Sequence, residues 1–236
     1  MIKEIREELD QLGEESYKQF NQKLIPGTDH VIGVRMPALR KLAKGIAKTD
    51  SKQYLEEAQT EIDERSAHEE IMLYGLVLGY AKMSIEQRMQ ALDMFVPKIH
   101  NWAVCDSCCM GYKFMEKEQE VWFSYLRKYQ NSSREFEVRF FIVSLLAHYI
   151  NEAYIEQVLE ILNHTSHEGY YVKMAVAWAI SIYFIKFPEP VMPYLEHNHL
   201  DDWTFNKALQ KITESCRVDG ETKAVIRAMK RPVSRG

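Results

Sequence analysis

No stretch of this 236-residue sequence alternates apolar and polar residues with the period of two that marks a half-buried strand. A sheet-based fold is therefore not expected. Nor is any apolar run long enough for a bilayer, which takes roughly 20 residues: the longest, Met174 to Ile185, is closed by Lys173 and Lys186. Met1-Ile2-Lys3-Glu4 leads straight into an amphipathic helical pattern without a basic-then-apolar leader, so a cytoplasmic protein is expected. Cysteine is scarce, with three of the four at positions 105, 108 and 109, which excludes a secreted disulfide framework. Cys105-x-x-Cys108 with His100 nearby lacks a second ligand pair, since only Cys216 remains, so small thiols filling a helix interface are expected, with no metal and no cofactor. An excess of positive charge is missing too: 30 Lys and Arg against 34 Asp and Glu leave a net charge of −4, which argues weakly against a polyanion partner.

What is present is an ordinary globular composition, 46% hydrophobic and 27% charged, on a chain long enough to bury a substantial core as one domain spanning 1–236. The charge is unevenly distributed. Val31 to Lys48 carries Arg35, Arg40, Lys41, Lys44 and Lys48 and no acid, and the segment from Trp203 carries eight basic residues, among them Lys207, Lys211, Arg217 and Arg235, against three acids. Residues 49–100 between them are net acidic, and basic zones flanking an acidic segment are able to bind phosphates locally, although a charge run is more often a solvated face.

Helical periodicity recurs throughout. A first helix is expected over residues 2 to 20, a loop at Ile25-Pro26-Gly27-Thr28-Asp29-His30, and a helix with one apolar and one basic face after Pro37. From there helices read as pairs: 62–80 with 84–96, 101–115 with 118–129, 134–150 with 152–162, 168–187 with 189–196, and 202–216 with 221–230. Pair starts fall 39, 33, 34 and 34 residues apart. That period is the mark of an all-α solenoid of antiparallel helix pairs, curved, whose concave face is the natural binding surface.

Three stretches carry residues out of keeping with a plain core. In Asn101-Trp102-Ala103-Val104-Cys105-Asp106-Ser107-Cys108-Cys109, Trp102 and Asp106 stand one helical turn apart, a carboxylate among apolar neighbours that needs a partner or a function. It could cap a helix starting at Ser107, be satisfied by backbone N–H groups, or act in chemistry. Arg139 shares a stripe with Val143, Leu146 and Ile150, so it is either paired across repeats or facing a ligand. Tyr171, Met174 and Trp178 share a face that reads as core or as an aromatic platform.

Asn101-Trp102-x-x-x-Asp106, Val138-Arg139 and Val172-Lys173-x-Ala175-x-x-Trp178-Ala179, together with Val31 to Leu42, resemble the AlkD family of DNA alkylation repair glycosylases, built from HEAT-like helical repeats. The resemblance covers nearly the whole chain. It implies an enzyme acting on duplex DNA with an alkylated base, excising cationic N3- and N7-alkylpurines through Trp102, Asp106 and Arg139; a monomer is expected. It further implies lesion or sugar contacts from Trp178, Tyr171 and an aromatic of the first helix, for which Tyr17 and Phe20 are the candidates because an insertion surrounds Pro26-Gly27. Backbone contacts are expected from Arg35, Arg40, Lys41, Lys44, Lys173, Lys207, Lys211 and Arg217. The acidic net charge departs from the basic cleft of the family's better-known members. Two other classes stay open: a catalytically silent solenoid that binds damaged or branched DNA, and a protein–protein scaffold. Joint presence of Trp102, Asp106 and Arg139 discriminates against both.

Overall fold

The computed structural model describes residues 1–232, and Arg235 of the basic C-terminal zone lies outside them. Among the described residues all regular structure is helical, and the helices pack in adjacent pairs, as in an α-solenoid. No helix there is long and apolar enough to cross a membrane. The chain forms two compact units, Met1–Glu118 and Gln119–Gly236.

The first unit comprises α1 (Ile2–Leu12), α2 (Glu15–Leu24), α3 (Met36–Thr49), α4 (Ser51–Glu61), α5 (His68–Tyr80), α6 (Ile85–Phe95) and α7 (Trp102–Cys109). Helix α5 is its hub, packed against α3, α4, α6 and α7. A helix surrounded this way must be apolar all round, and α5 is buried from His68 through Leu78. The second unit comprises α8 (Gln119–Leu126), α9 (Glu135–His148), α10 (Ile155–Asn163), α11 (Tyr170–Lys186), α12 (Pro188–Glu196), α13 (Asp202–Glu214) and α14 (Gly220–Ala228). Its hub is α11, packed against α9, α10, α12 and α13. Helices α3, α5, α7, α9, α11 and α13 begin at Met36, His68, Trp102, Glu135, Tyr170 and Asp202, so the repeat holds within a few residues of 34 and reaches one helix further back than periodicity had traced it.

Several boundaries differ from those expected, each for an identifiable reason. The single helix over 2–20 is two, broken at Gly13-Glu14 and continued to Leu24. A side chain at Gly13 would press on Ile32, so the break lets the Val31–Val34 segment approach. Helix α4 went unseen because it is largely polar, burying only Tyr54 and Ala58. The helix expected from 62 starts at His68, since Asp63 takes the Arg65 N–H at 2.9 Å and holds a turn. Helix α7 stops at Cys109 rather than 115: the chain turns at Gly111, and Tyr112 enters the core to donate its hydroxyl to the Gly75 carbonyl at 3.2 Å.

Candidate active site

In the first unit the site is built on α7. Asn101 caps it, its Oδ1 accepting from Val104 N at 3.0 Å. Because that oxygen is used, the amide Nδ2 is the donor facing Thr28 Oγ1 at 3.4 Å, His68 Nδ1 at 3.1 Å and His100 Nε2 at 3.3 Å. Val104, Cys105, Cys108 and Cys109 form the buried face; a side chain at Gly75 of α5 would collide with the Cys108 sulfur and the Phe95 ring, so the thiols fill a tight helix crossing. Among the described residues no group of three or more His, Cys, Asp or Glu side chains could hold a metal ion.

The other face of α7 is accessible and carries Trp102 and Asp106, both half-buried and one turn apart. Since the helix starts at Trp102 and Asn101 is its cap, Asp106 lies inside it and does not cap a helix starting at Ser107. The Trp102 indole Nε1 donates to the Leu24 carbonyl at 2.9 Å, tying the start of α7 to the end of α2. Helix α2 presents both aromatic candidates, with the rings of Tyr17 and Phe20 stacked at 6.2 Å and Phe20 exposed. Arg35 lies over Tyr17 at 4.8 Å and grips Glu14 with two bonds of 2.8 and 2.9 Å. That pair raises the pKa of Arg35 and lowers that of Glu14, each mainly through their shared hydrogen bond. Arg40, Lys41 and Lys44 are exposed along α3 and, with Met36, Pro37, Gly45 and Lys48, line an open cleft of about 730 Å³.

Sequence reasoning missed Glu69, the carboxylate that holds this region in place. It is fully buried in the first turn of α5 and accepts from Ile32 N and Gly33 N at 2.8 Å each and from Val34 N at 3.2 Å. Three successive N–H groups converge because Gly33 takes φ of 96°, which favours glycine. A carboxylate pair, Glu69-Glu70, heading the apolar helix α5 was the available signal, and Glu69 is the acid satisfied by backbone N–H groups.

In the second unit Arg139 is 5% exposed on α9. Its Nη1 donates to the Tyr171 carbonyl at 2.6 Å, and its guanidinium lies 5.9 Å from the Tyr171 ring. Glu135, one turn earlier, accepts from Tyr171 N at 2.6 Å, so α9 grips the first turn of α11 with an acid and a base. Tyr171, Met174 and Trp178 form a half-buried stripe along α11 rather than core. Lys173 bonds Glu168 at 2.9 Å, which raises its pKa, and lines a separate cavity of about 380 Å³ with His167, His199 and Asp201. On α13, Lys207 and Lys211 are half-buried, and Arg217 is exposed beyond its end. Burial lowers the pKa of Lys211; Glu214 opposes the shift, and the cations of Lys207 and Arg139 add to it.

The first unit thus carries Trp102 and Asp106 on one face of α7, ties α7 to the helix that holds Tyr17 and Phe20, and sets the α3 cations along an open cleft, and the second brings together Arg139, Tyr171, Lys207 and Lys211. No curated protein matches the chain. The model of one family, described as DNA alkylation repair enzyme, matches residues 5–212. With that match spanning most of its length, the chain belongs to the family of DNA alkylation repair enzymes.

Proposed function

We propose that this protein is a DNA glycosylase that hydrolyses the N-glycosidic bond of cationic N3- and N7-alkylated purines in duplex DNA, the whole chain working as one DNA-binding domain. The observation that carries the reading is the accessible face of α7, where an indole and a carboxylate stand one turn apart on a helix otherwise packed by thiols and Val104.

Alkylation at N3 or N7 gives the base a positive charge, so it departs with the bonding electron pair as a neutral molecule and needs no acid. Positive charge then develops on the deoxyribose. Asp106 is the anion that stabilises this oxocarbenium-like centre and orients the water that adds to C1′. In the first unit Trp102 supplies a π face to the cationic lesion and sugar, with an aromatic of α2; in the second, Trp178 and Tyr171 of α11 are assigned the same kind of contact. Arg139, 5% exposed and engaged within the fold, meets a backbone phosphate only after exchanging partners, while Arg40, Lys41, Lys44, Lys207, Lys211 and Arg217 contribute phosphate contacts. Two residues expected in that set carry acidic partners within the fold, Arg35 on Glu14 and Lys173 on Glu168, and contribute only after exchanging them.

Incubation of the protein with duplex DNA carrying one 7-methylguanine, followed by alkaline cleavage, tests the proposal. Strand scission at the lesion is the expected result. Salt-dependent binding without scission would identify a silent DNA-binding solenoid, and neither binding nor scission would leave the scaffold reading.

A further inference from the structure

At the N-terminal ends of α9, α11 and α13 four aromatic rings follow one another. Phe136 lies 5.3 Å from Tyr171, Tyr171 lies 5.3 Å from Tyr170, and Tyr170 lies 5.5 Å from Trp203. The repeat makes this row: residues one repeat apart in sequence head adjacent helices and become neighbours. The inner end of the row is half-buried, but Tyr170 and Trp203 remain 56% and 39% exposed, whereas Phe140, Tyr149 and Tyr183 of the same unit are fully buried. Two large rings left in water beside each other forgo the stabilisation that burial of aromatic surface provides, which marks a contact surface.

The charge beside these rings is positive. Lys207 Nζ lies 5.7 Å from the Trp203 ring, and Lys211, one turn further on, is near enough to feel Lys207 and Arg139 as well as Glu214. The neighbouring acids are engaged within the fold: Asp201 caps α13 through Thr204, Asp202 meets Arg231 at 3.4 Å, Glu135 holds Tyr171 N, Glu168 accepts from Lys173 at 2.9 Å, and Glu214 accepts from Gln210 at 2.7 Å. An accessible π face with a cation beside it is the chemistry that binds one nucleotide of unpaired nucleic acid, base on ring and phosphate on ammonium. A paired base offers only its edge in a groove and cannot use such a face.

We propose that Tyr170 and Trp203 form a stacking site for an unpaired base of DNA, with Lys207 on the adjoining phosphate. This rests on the DNA reading above and adds to it a preference for duplexes in which one base is displaced from the stack.

The test compares the full-length protein on two duplexes of the same sequence, one fully paired and one with a single bulged 2-aminopurine, by fluorescence anisotropy at fixed salt. The bulged duplex is expected to bind about tenfold more tightly, with the 2-aminopurine emission quenched on binding. Trp203→Ala and Tyr170→Ala should bring the ratio of the two affinities close to one, and Trp203→Phe, which keeps a π face, should retain most of it. Equal affinities for the native protein, or an undiminished ratio in Trp203→Ala, would overturn the stacking site while the DNA reading stands. Failure to bind either duplex would overturn both. Should Trp203→Ala lower the sedimenting mass and leave the ratio unchanged, the rings join copies of the chain and the proposal is wrong.

Discussion

The Trp102 indole donates to the Leu24 carbonyl at 2.9 Å, so the last turn of α2 sets the ring that begins α7. Leu24 supplies only a backbone oxygen, and the bond fixes the plane of the indole relative to Asp106 one turn on. Trp102→Phe keeps an aromatic face and loses the anchor. A net hydrogen bond is worth about 1 kcal/mol, so stability should fall by that order, while excision falls about tenfold from a misplaced ring. Urea denaturation and single-turnover excision read the two effects separately, and an unchanged excision rate would show that the anchor is only structural.

Asp106→Asn preserves shape and removes the anion. Excision of 7-methylguanine should drop by orders of magnitude with duplex affinity unchanged or slightly higher, because the carboxylate acts on charge that exists only near the transition state. By the same reasoning 3-methyladenine is a substrate, whereas 1,N6-ethenoadenine, hypoxanthine and uracil, which leave without a cationic ring, are poor ones. Single-turnover assays on these oligonucleotides decide the matter; removal of a neutral base at a comparable rate contradicts the assignment.

Duplex affinity should fall steeply with salt, each phosphate contact contributing about 0.9 to the slope of log affinity against log salt. Lys44→Glu on α3 and Lys211→Glu on α13 should each flatten that slope. Affinity indifferent to salt would rule out the phosphate contacts.

Glu69 accepts three backbone N–H bonds while fully buried. In Glu69→Gln an amide nitrogen faces donors and the charge that strengthened the bonds is gone, at a cost of about 3 kcal/mol. Chemical denaturation should show a lower midpoint with an unchanged slope, and a midpoint equal to that of the native protein would mean that the Val31–Val34 segment holds without it.

Burial and the neighbouring His100 push the His68 pKa down to about 4 from an ordinary 6.5, and its Nδ1 must stay unprotonated to accept from Asn101. Above pH 6.5 the ring is neutral in folded and unfolded chains alike. As pH falls from 6.5 toward 4 the unfolded chain takes up the proton and the folded one does not, so stability declines, by up to about 3 kcal/mol from this group. The decline reaches the cap of α7, since Asn101 is the partner. Urea midpoints measured across that window should fall more steeply for the native protein than for His68→Gln; parallel curves would show that another group titrates.

The helical class, the repeat near 34 residues and the pairing of Trp102 with Asp106 on one face were all determined by the sequence alone, because a helix converts fixed spacing into fixed direction. Arg139 among apolar neighbours was legible for the same reason, since a buried guanidinium requires a partner or a ligand. Other features depend on contacts between residues far apart in the chain, which periodicity does not encode. Gly13 breaks a continuous helical pattern because Ile32 comes against it, and α4 exists despite a polar sequence because Tyr54 and Ala58 find a core. The two acids show the division most plainly. Asp106 stands alone within α7 and Glu69 beside Glu70 at the start of α5, each a carboxylate on an apolar helix. Only the tertiary structure brought Ile32, Gly33 and Val34 to one of them and left the other half-exposed on the accessible face of α7.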